Sequence, residues 1–467
     1  MTDNFYILTL DWLGNSPLLA TATEAVSESD AEEGTLVLAG VLLSLVIIYF
    51  ASKLGGELCS RINLPPVLGE LVGGVLIGIS AFRLLVFPET SAAEDSLIIN
   101  MLQSTAGLPP EAASSVFAAQ SEVITLLSEL GVIILLFEIG LESDLKELIR
   151  VGPIAAVVAV VGVVAPFITG TLGLVYIFGT PVVPAVFAGA ALTATSIGIT
   201  AKVLAELGQL SSKEGQIIIG AAVLDDILGI VVLAVVASLV KTGEIQITNI
   251  VYLIISAAVF LIGSILLGRL VSPFIVGIVN EMKTRGEVLI TGLVFAFSLS
   301  YIATAIHLEG ILGAFAAGLI LAETEKRKEL EEQVIPVADI LVPVFFVCVG
   351  AKTDLSVLNP AVPSNREGLI IATFLILVAI LGKVITGFTI FGNPELNKLA
   401  IGVGMIPRGE VGLVFAGVGS ASGALSEATE AAIIVMVIST TFVAPPLLRL
   451  VFKEKETVAQ SVDKVRE

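Results

Sequence analysis

Long apolar stretches recur along the whole chain and constrain its fold more than any other feature of the sequence. They run from Leu36 to Leu450, and each holds about 20 residues, the length that crosses the hydrocarbon core of a bilayer as a helix. Mean hydropathy is +1.01, and only 14% of the 467 residues are charged. Since lipid offers the backbone no hydrogen-bond partners, such stretches must be helices. The sequence therefore predicts an all-α integral membrane protein.

Thirteen of these stretches are predicted to span the membrane. Their approximate bounds are 35–54, 64–82, 121–141, 152–178, 181–206, 213–240, 249–278, 286–306, 309–323, 335–351, 368–391, 396–421 and 428–450. Three polar segments remain outside them: an acidic N-terminal segment over 1–34, an insertion over 83–120 and a tail over 451–467.

Basic residues are distributed unevenly between the two sides that thirteen spans define. Of the 24 Lys and Arg residues, 18 fall on the side of the C-terminus. The N-terminal side holds four, and two lie inside spans: Arg83, Lys241, Lys352 and Arg366, then Lys383 and Arg408. Because basic residues collect on the cytoplasmic side of membrane proteins, we expect a cytoplasmic C-terminus, with the N-terminus on the other side.

Net charge and residue counts exclude several classes of function. A net charge of -19 does not fit a nucleic-acid-binding protein, which carries a basic face. Cys59 and Cys348 belong to different predicted helices, so neither a disulfide framework nor a metal site is indicated. A single histidine, His307, excludes a histidine-rich metal centre, and its place at a short loop indicates a surface residue. No cofactor is predicted.

Two short motifs occur twice, in the same order. Residues 67–78 resemble 311–322, and 140–145 match 350–355. The copies lie seven spans apart, and an odd separation places them in opposite orientations. This pattern is typical of the inverted repeats of secondary transporters. It predicts two six-helix repeats, over 35–240 and 286–450, joined by a linker helix at 249–278.

Two aspartates and a lysine stand out among the charged residues inside the predicted spans. Asp225 and Asp226 stand near the middle of the sixth span, and Lys383 is alone in the eleventh. Carboxylates at mid-membrane are costly unless they face water or a partner, so they indicate a functional site. Lys383 needs an anion nearby, and either aspartate could supply it. The structural alternatives are neutralised carboxylates and a lysine that reaches the interface.

Two spans carry breaks at equivalent places in the two repeats. Residues 188–200 are rich in glycine and hydroxyl side chains, and 402–412 contain Pro407 and Gly409. Transporters build their ion sites from such broken helices. We expect Arg408 to meet the carbonyl ends and Glu410 the amide ends of these half-helices, which gives both residues a structural role.

Other acidic residues near the spans have a less definite meaning. Glu70, Glu138 and Asp339 could line an ion path, or could cap helices and pair with basic residues.

The motifs at 193–196, 225–226, 383 and 407–410, taken together, resemble the second monovalent cation:proton antiporter family, in particular bacterial sodium/proton antiporters of the NapA type. The resemblance covers about residues 35–450. It implies two broken helices that cross in a core domain, and a core that moves against a dimerisation domain by an elevator-like mechanism in a homodimer. It implies a bacterial inner membrane, with an internal photosynthetic membrane as the alternative.

The resemblance also implies a role for each site residue. Asp226 matches the carboxylate that binds the cation and the proton alternately, and Asp225 matches the one that pairs with the lysine, here Lys383. Thr195 and Ser196 match residues at the crossing that help to ligate the ion. An aspartate pair with a lysine resembles the electrogenic members of the family.

The expected function is exchange of Na⁺ or Li⁺ for H⁺. Carboxylate and carbonyl oxygens suit a hard cation, and the same carboxylates accept protons. A K⁺/H⁺ exchanger of the same architecture is the alternative. An intramembrane aspartyl protease is disfavoured because adjacent aspartates on one helix diverge and cannot share a proton. A channel is a further alternative, which unitary currents would distinguish.

Overall fold

The computed structural model describes residues 17–242, 247–361 and 363–466, and over these residues it contains helices and no strand. The α-helices are α1 Pro17–Arg61, α2 Pro66–Ile77, α3 Leu97–Thr105, α4 Ala113–Glu142, α5 Leu145–Phe178, α6 Val182–Ala191, α7 Ile197–Glu206, α8 Lys213–Thr242, α9 Ile247–Glu281, α10 Glu287–Ala305, α11 Gly310–Leu321, α12 Arg327–Ala351, α13 Pro363–Phe388, α14 Lys398–Gly404, α15 Glu410–Ala421 and α16 Glu427–Arg466. Short 3-10 turns occur at Ala93–Asp95, Pro110–Ala112 and Leu355–Leu358.

The long helices are apolar enough to cross a bilayer. Within the described part of the chain, nine helices have the length and hydropathy that a span requires. Four shorter apolar helices accompany them, among them α2 and α11, which are each 12 residues long. The protein is therefore a multi-pass, all-helical membrane protein.

Each span predicted from the sequence falls on a long helix, a short apolar helix or a pair of short helices. The last helix, α16, runs to Arg466, well past the predicted end at 450 and into the predicted tail. Inside the chain, α4 and α12 both begin eight residues before their predicted spans at 121 and 335. These first two turns look polar in sequence, but Phe117 and Leu330 are buried against neighbouring helices, and this packing extends both helices. At the N-terminus, α1 already begins inside the predicted acidic segment, and residues 1–16 of that segment lie outside the described residues.

Local signals set the ends of α5. The side chain of Asp144 accepts hydrogen bonds from the backbone amides of Lys146 and Glu147, as an N-cap does. At the other end, Gly179 adopts a left-handed conformation with φ of 65°, which ends the helix at low steric cost.

The helices pack into two groups. In the first group, α5 packs against α8, and α13 packs against α16. The helices α5 and α13 also pack against each other, and the two pairs of short helices, α6/α7 and α14/α15, lie among these four. In the second, α4 packs against α11 and α12, with α1 and α2 on one side and α10 on the other. The insertion folds over the second group, where Ile98 and Leu102 of α3 are buried against α1 and α4.

Glycines bring the helices of the second group into close backbone contact. A Cβ on Gly140 of α4 would lie 2.4 Å from the carbonyl oxygen of Phe315 in α11. A Cβ on Gly350 of α12 would lie 2.1 Å from the carbonyl oxygen of Leu71 in α2. Only glycine fits at such positions, so these contacts fix the helix spacing.

Candidate ion-exchange site

Two interrupted helices form the centre of the first group. The α6 helix ends at Ala191 and α7 begins at Ile197, which leaves residues 192–196 unwound. The α14 helix ends at Gly404 and α15 begins at Glu410, which leaves residues 405–409 unwound. Pro407 has no backbone N–H to continue a helix, and threonine and serine side chains in the first segment compete for backbone hydrogen bonds.

The two unwound segments bond directly to each other. The amide of Ser196 donates to the carbonyl of Pro407 at 2.8 Å, and the hydroxyl of Thr195 donates to the carbonyl of Met405 at 3.2 Å. A Cβ on Gly409 would lie 2.9 Å from Oγ of Ser196, so glycine permits this approach. The crossing therefore places hydroxyls of the first segment and backbone carbonyls of the second at one point.

Arg408 lies buried at the crossing and binds both carbonyl ends. Its Nη1 donates to the carbonyls of Met405 and Ile406 at 3.2 and 3.1 Å, and its Nη2 donates to the carbonyl of Leu192 at 2.7 Å. These carbonyls follow the C-termini of α14 and α6, where the helix dipole is negative. The guanidinium thus neutralises two helix ends at once. The side chain of Glu410 lies outside the described part of the structure.

Lys383 and Asp225 form an ion pair beside the crossing. The ammonium of Lys383 on α13 lies 3.1 and 3.2 Å from the two carboxylate oxygens of Asp225 on α8, and it donates to the carbonyl of Thr193 at 2.7 Å. Both charged side chains are 0% exposed. An anion and a carbonyl together satisfy the lysine in a site closed to water.

Asp226 stands next to this pair but in a slightly more open position. Its exposure is 5%, and that of Ser196 is 7%, whereas the ion pair is closed. Asp226 also interacts electrostatically with Lys383. The helix that carries Asp226 passes the first unwound segment at Gly229, where a Cβ would lie 3.6 Å from Cβ of Ala194. The two adjacent aspartates thus differ in their surroundings: Asp225 is fully buried against Lys383, and Asp226 is slightly exposed.

Two further hydroxyl residues lie at the crossing that were not among the predicted site residues. Thr200 donates to the carbonyl of Gly404 at 3.0 Å, and Thr441 of α16 donates to the carbonyl of Arg408. Thr200 belongs to the hydroxyl-rich stretch at 188–200, which is a usable signal. Thr441 lies in an ordinary apolar helix and gives none.

The remaining acidic residues lie at the seam between the two groups of helices. Glu206, at the end of α7, accepts a hydrogen bond from the amide of Val67 at the start of α2, at 3.2 Å. Glu70, Glu138 and Glu206 all interact electrostatically with Lys202 of α7. None of these acidic residues takes part in the crossing itself.

Residues 35–454 match the family described as sodium/hydrogen exchanger, transmembrane. The chain belongs to this family. Its members are transporters and not enzymes, which removes the aspartyl protease from consideration.

Two relatives align with most of this chain and over most of their own length. The chain is 75% identical over 438 residues to the high-affinity Na⁺/H⁺ antiporter NhaS3 of a Synechocystis species, and the alignment covers 94% of both chains. It is 33% identical over 417 residues to the Na⁺/H⁺-K⁺ antiporter GerN of Bacillus cereus, covering 88% of this chain and 96% of the relative.

A solved structure shares the fold. The sodium proton antiporter MjNhaP1 of Methanocaldococcus jannaschii matches 90% of this chain and 99% of its own, with a TM-score of 0.57 at 17% identity. At this identity the match concerns the fold alone.

Proposed function

We propose that this protein is a secondary antiporter that exchanges Na⁺ for H⁺, with Asp226 as the carboxylate that binds them alternately. The observation that carries the proposal is the buried Lys383–Asp225 ion pair beside Asp226, at the crossing of two broken helices. The high identity to a Na⁺/H⁺ antiporter supports the choice of ion. Na⁺ and H⁺ are the cargo, and the mechanism requires no cofactor.

Competition for one carboxylate couples the two fluxes. Asp226, together with the oxygens of Thr195 and Ser196, offers the hard ligands that Na⁺ prefers. When Asp226 is protonated it loses its charge and with it its affinity for Na⁺. The site therefore crosses the membrane carrying either an ion or a proton. Asp225 stays with Lys383 in one half of the cycle and releases it in the other, which would make exchange electrogenic.

An inverted repeat of two six-helix units, with thirteen spans in all, belongs to this proposal. The alignment that matches 67–78 with 311–322 pairs Gly74 with Gly318, and the alignment of 140–145 with 350–355 pairs Gly140 with Gly350. A Cβ on Gly74 would lie 2.9 Å from Cα of Gly350, and one on Gly318 would lie 2.9 Å from Cα of Gly140. One contact thus maps onto the other when the repeats are exchanged, which supports a two-fold relation between them.

The repeat is unequal at the seam, and this supports an elevator-like cycle. The α7 half-helix packs against α2 and α4. Its counterpart α15 packs against α6, α8 and α16, and exposes Leu413 and Val414. We infer that the seam is closed on the side of the C-terminus, where most Lys and Arg residues lie, and open on the face that carries the insertion. Movement of the first group against the second would exchange these two conditions.

Orientation and assembly complete the proposal. The distribution of Lys and Arg supports a cytoplasmic C-terminus and an N-terminus on the opposite side. The membrane is a bacterial inner membrane or an internal photosynthetic membrane, and the cyanobacterial relative supports a bacterial source. The second group of helices would provide the dimerisation domain of a homodimer.

Cation-driven proton movement tests the function. The purified protein is placed in liposomes with a trapped pH dye and an imposed proton gradient, and NaCl, LiCl or KCl is added. We expect dequenching with Na⁺ and Li⁺ and none with K⁺. A response to K⁺ alone would establish the K⁺/H⁺ alternative, and a response to both Na⁺ and K⁺ would match the description of the relative GerN as a Na⁺/H⁺-K⁺ antiporter. The absence of a response to any cation would refute exchange.

A further inference from the structure

The α7 half-helix is joined to the second group of helices by a hydrogen bond at its last residue. The two carboxylate oxygens of Glu206 accept from the backbone amide of Val67, the second residue of α2, at 3.2 and 3.4 Å. These residues are 139 positions apart in the chain. Because α7 follows directly on the unwound segment at 192–196, the bond connects the crossing to a helix of the other group.

The start of α2 explains why this contact is favourable. Pro65 precedes the helix and Pro66 begins it, and neither has a backbone N–H, so Val67 carries the first amide of the helix. An amide in the first turn has no partner within its own helix. A carboxylate at this place is stabilised by the hydrogen bond and by the positive end of the helix dipole. Glu206 therefore caps α2 from outside its own group.

A lysine one turn earlier on α7 strengthens the same contact. Lys202 precedes Glu206 by four residues, and residues at this spacing lie on one face of a helix. Lys202 interacts electrostatically with Glu70 of α2 and with Glu138 of α4. Opposite charges thus attract α7 to both helices at the end where Glu206 caps α2.

The repeat-related half-helix has no residue that can make this contact. Glu206 is the tenth residue of α7, and the tenth residue of α15 is Gly419. The alignment of 67–78 with 311–322 pairs Val67 with Ile311, which is likewise the second residue of its helix. Glycine has no carboxylate to offer to that amide. The cap is therefore a feature of one end of the seam, the end on the side of the C-terminus, which we call the C-terminal face.

Opening of the seam at the C-terminal face must break this bond. A hydrogen bond is lost when its heavy atoms separate beyond about 3.5 Å. A path wide enough for an ion between α7 and α2 requires a larger separation than that. The bond thus exists when the seam is closed at this face and is absent when it is open, so it shifts the balance towards the closed condition.

We propose that the Glu206 carboxylate and the Val67 amide form a releasable latch that keeps the C-terminal face of the seam closed and sets how often the exchange site opens to that face. Glu206 is a positioning residue in this role, since it acts through α7 and does not touch the ion. The proposal rests on the proposed function and adds a residue that controls access to the site from one side.

The test measures the apparent KM for Na⁺ separately from each face. Right-side-out and inside-out vesicles are prepared from cells that have no other Na⁺/H⁺ antiporter and that produce either the parent protein or the Glu206→Ala variant. We expect the KM from the C-terminal face to fall about 3- to 10-fold in the variant, because apparent affinity follows the fraction of molecules that are open to that face. The KM from the opposite face should stay equal or rise.

The direction of the change separates a latch from a simple electrostatic role. Loss of a carboxylate makes the C-terminal face less negative, which by itself would weaken the attraction of cations and raise the KM there. A fall in KM is expected only if the variant opens more often to that face. Glu206→Gln retains an oxygen that accepts from the amide but loses the charge, so its KM should fall less than that of Glu206→Ala.

Glu57→Ala is the matched control. The side chain of Glu57 lies near the end of α1, which leads into α2, and is 59% exposed. It pairs with Arg61 of its own helix at 2.8 Å and so does not join the two groups. This variant removes one carboxylate from the same face and should leave the KM from both faces near the parent value.

A second measurement requires no transport. Gly198 of α7 faces the second group, since a Cβ there would lie 3.5 Å from side-chain atoms of Val132 in α4 and of Phe345 in α12. A Gly198→Cys reporter is introduced into a protein whose two native cysteines have been replaced. In inside-out vesicles it should react slowly with a membrane-impermeant maleimide, and faster when Glu206→Ala is added.

Each failure has its own signature. A parent protein without exchange refutes the proposed function, whereas the maleimide reaction still reports whether Glu206 holds the seam. Normal exchange in the parent, with unchanged KM values in Glu206→Ala, refutes the latch alone, and so do equal rates of maleimide reaction with and without Glu206. A higher KM from the C-terminal face, or a lower rate with neither KM changed, assigns Glu206 to cation attraction or to the fold and also refutes the latch.

Discussion

The ammonium of Lys383 lies 3.1 and 3.2 Å from the two carboxylate oxygens of Asp225, with both side chains fully buried. These residues are 158 positions apart in the chain, on α13 and α8. Removal of either partner leaves a fully buried charge without its counter-ion. In the proposed mechanism, Asp225 organises the site through this pair, and Asp226 exchanges the ion and the proton.

Replacement of Asp226 tests the exchange role directly. We expect Asp226→Ala to abolish Na⁺-dependent proton movement in liposomes, because the remaining hydroxyls and carbonyls cannot hold Na⁺ and release it to a proton. Production and thermal unfolding of the variant in detergent should stay near those of the parent protein, since the Lys383–Asp225 pair is intact. Full activity in this variant would refute the site assignment.

Asp225→Asn should weaken exchange or make it electroneutral. The substitution removes the anion that keeps Lys383 charged, so the lysine can no longer carry a proton through the cycle. The measurement compares exchange rates with and without a membrane potential imposed by valinomycin and K⁺. The parent rate should depend on the potential and the variant rate should not. Equal dependence in both proteins would contradict this role for the pair.

A double-mutant cycle should detect strong coupling between the two residues. We expect Asp225→Asn and Lys383→Met, taken singly, to lower the free energy of unfolding by about 3–5 kcal/mol, because each leaves a buried charge unpaired. The double variant should lose less than the sum of the two. Thermal or denaturant unfolding in detergent measures all three. Simple additivity would show that the partners do not interact.

Arg408→Lys should destabilise the crossing although the positive charge is retained. A lysine cannot reproduce the fork that binds the carbonyls of Leu192, Met405 and Ile406 simultaneously. The midpoint of thermal unfolding should therefore fall by several degrees. Arg150→Lys is the matched control, because the side chain of Arg150 is 75% exposed, and it should have almost no effect. Equal midpoints for the two variants would exclude a structural role for Arg408.

Gly140→Val should prevent stable folding. A Cβ at this position would lie 2.4 Å from the backbone oxygen of Phe315, so α4 and α11 would have to separate. The yield of monodisperse protein in size-exclusion chromatography should fall strongly. A Cβ on Gly152 of α5 would meet nothing within 4 Å, so Gly152→Val should be tolerated. Normal yield of the first variant would mean that the two helices do not need this close contact.

Local features of the sequence predict most of the architecture. The apolar spans can be found without tertiary information because the bilayer requires helices of a minimum length. The breaks at 192–196 and 405–409 are signalled by hydroxyl residues and by Pro407, which disturb helical hydrogen bonding wherever they occur. The early starts of α4 and α12 are not predicted, because their polar first turns are stabilised by packing of Phe117 and Leu330 against other helices.

The sequence by itself determined that two carboxylates and a lysine are placed where lipid cannot solvate them, and that two of the spans are broken. Which aspartate the lysine meets was left open by the residues, since Asp225 and Asp226 project about 100° apart on their helix. Only the packing of α8 and α13 against α5 decided that Lys383 lies against Asp225 and the carbonyl of Thr193. Tertiary structure likewise decided which carbonyls Arg408 binds, because those partners come from helices distant in the chain, and their approach depends on packing that no local pattern encodes.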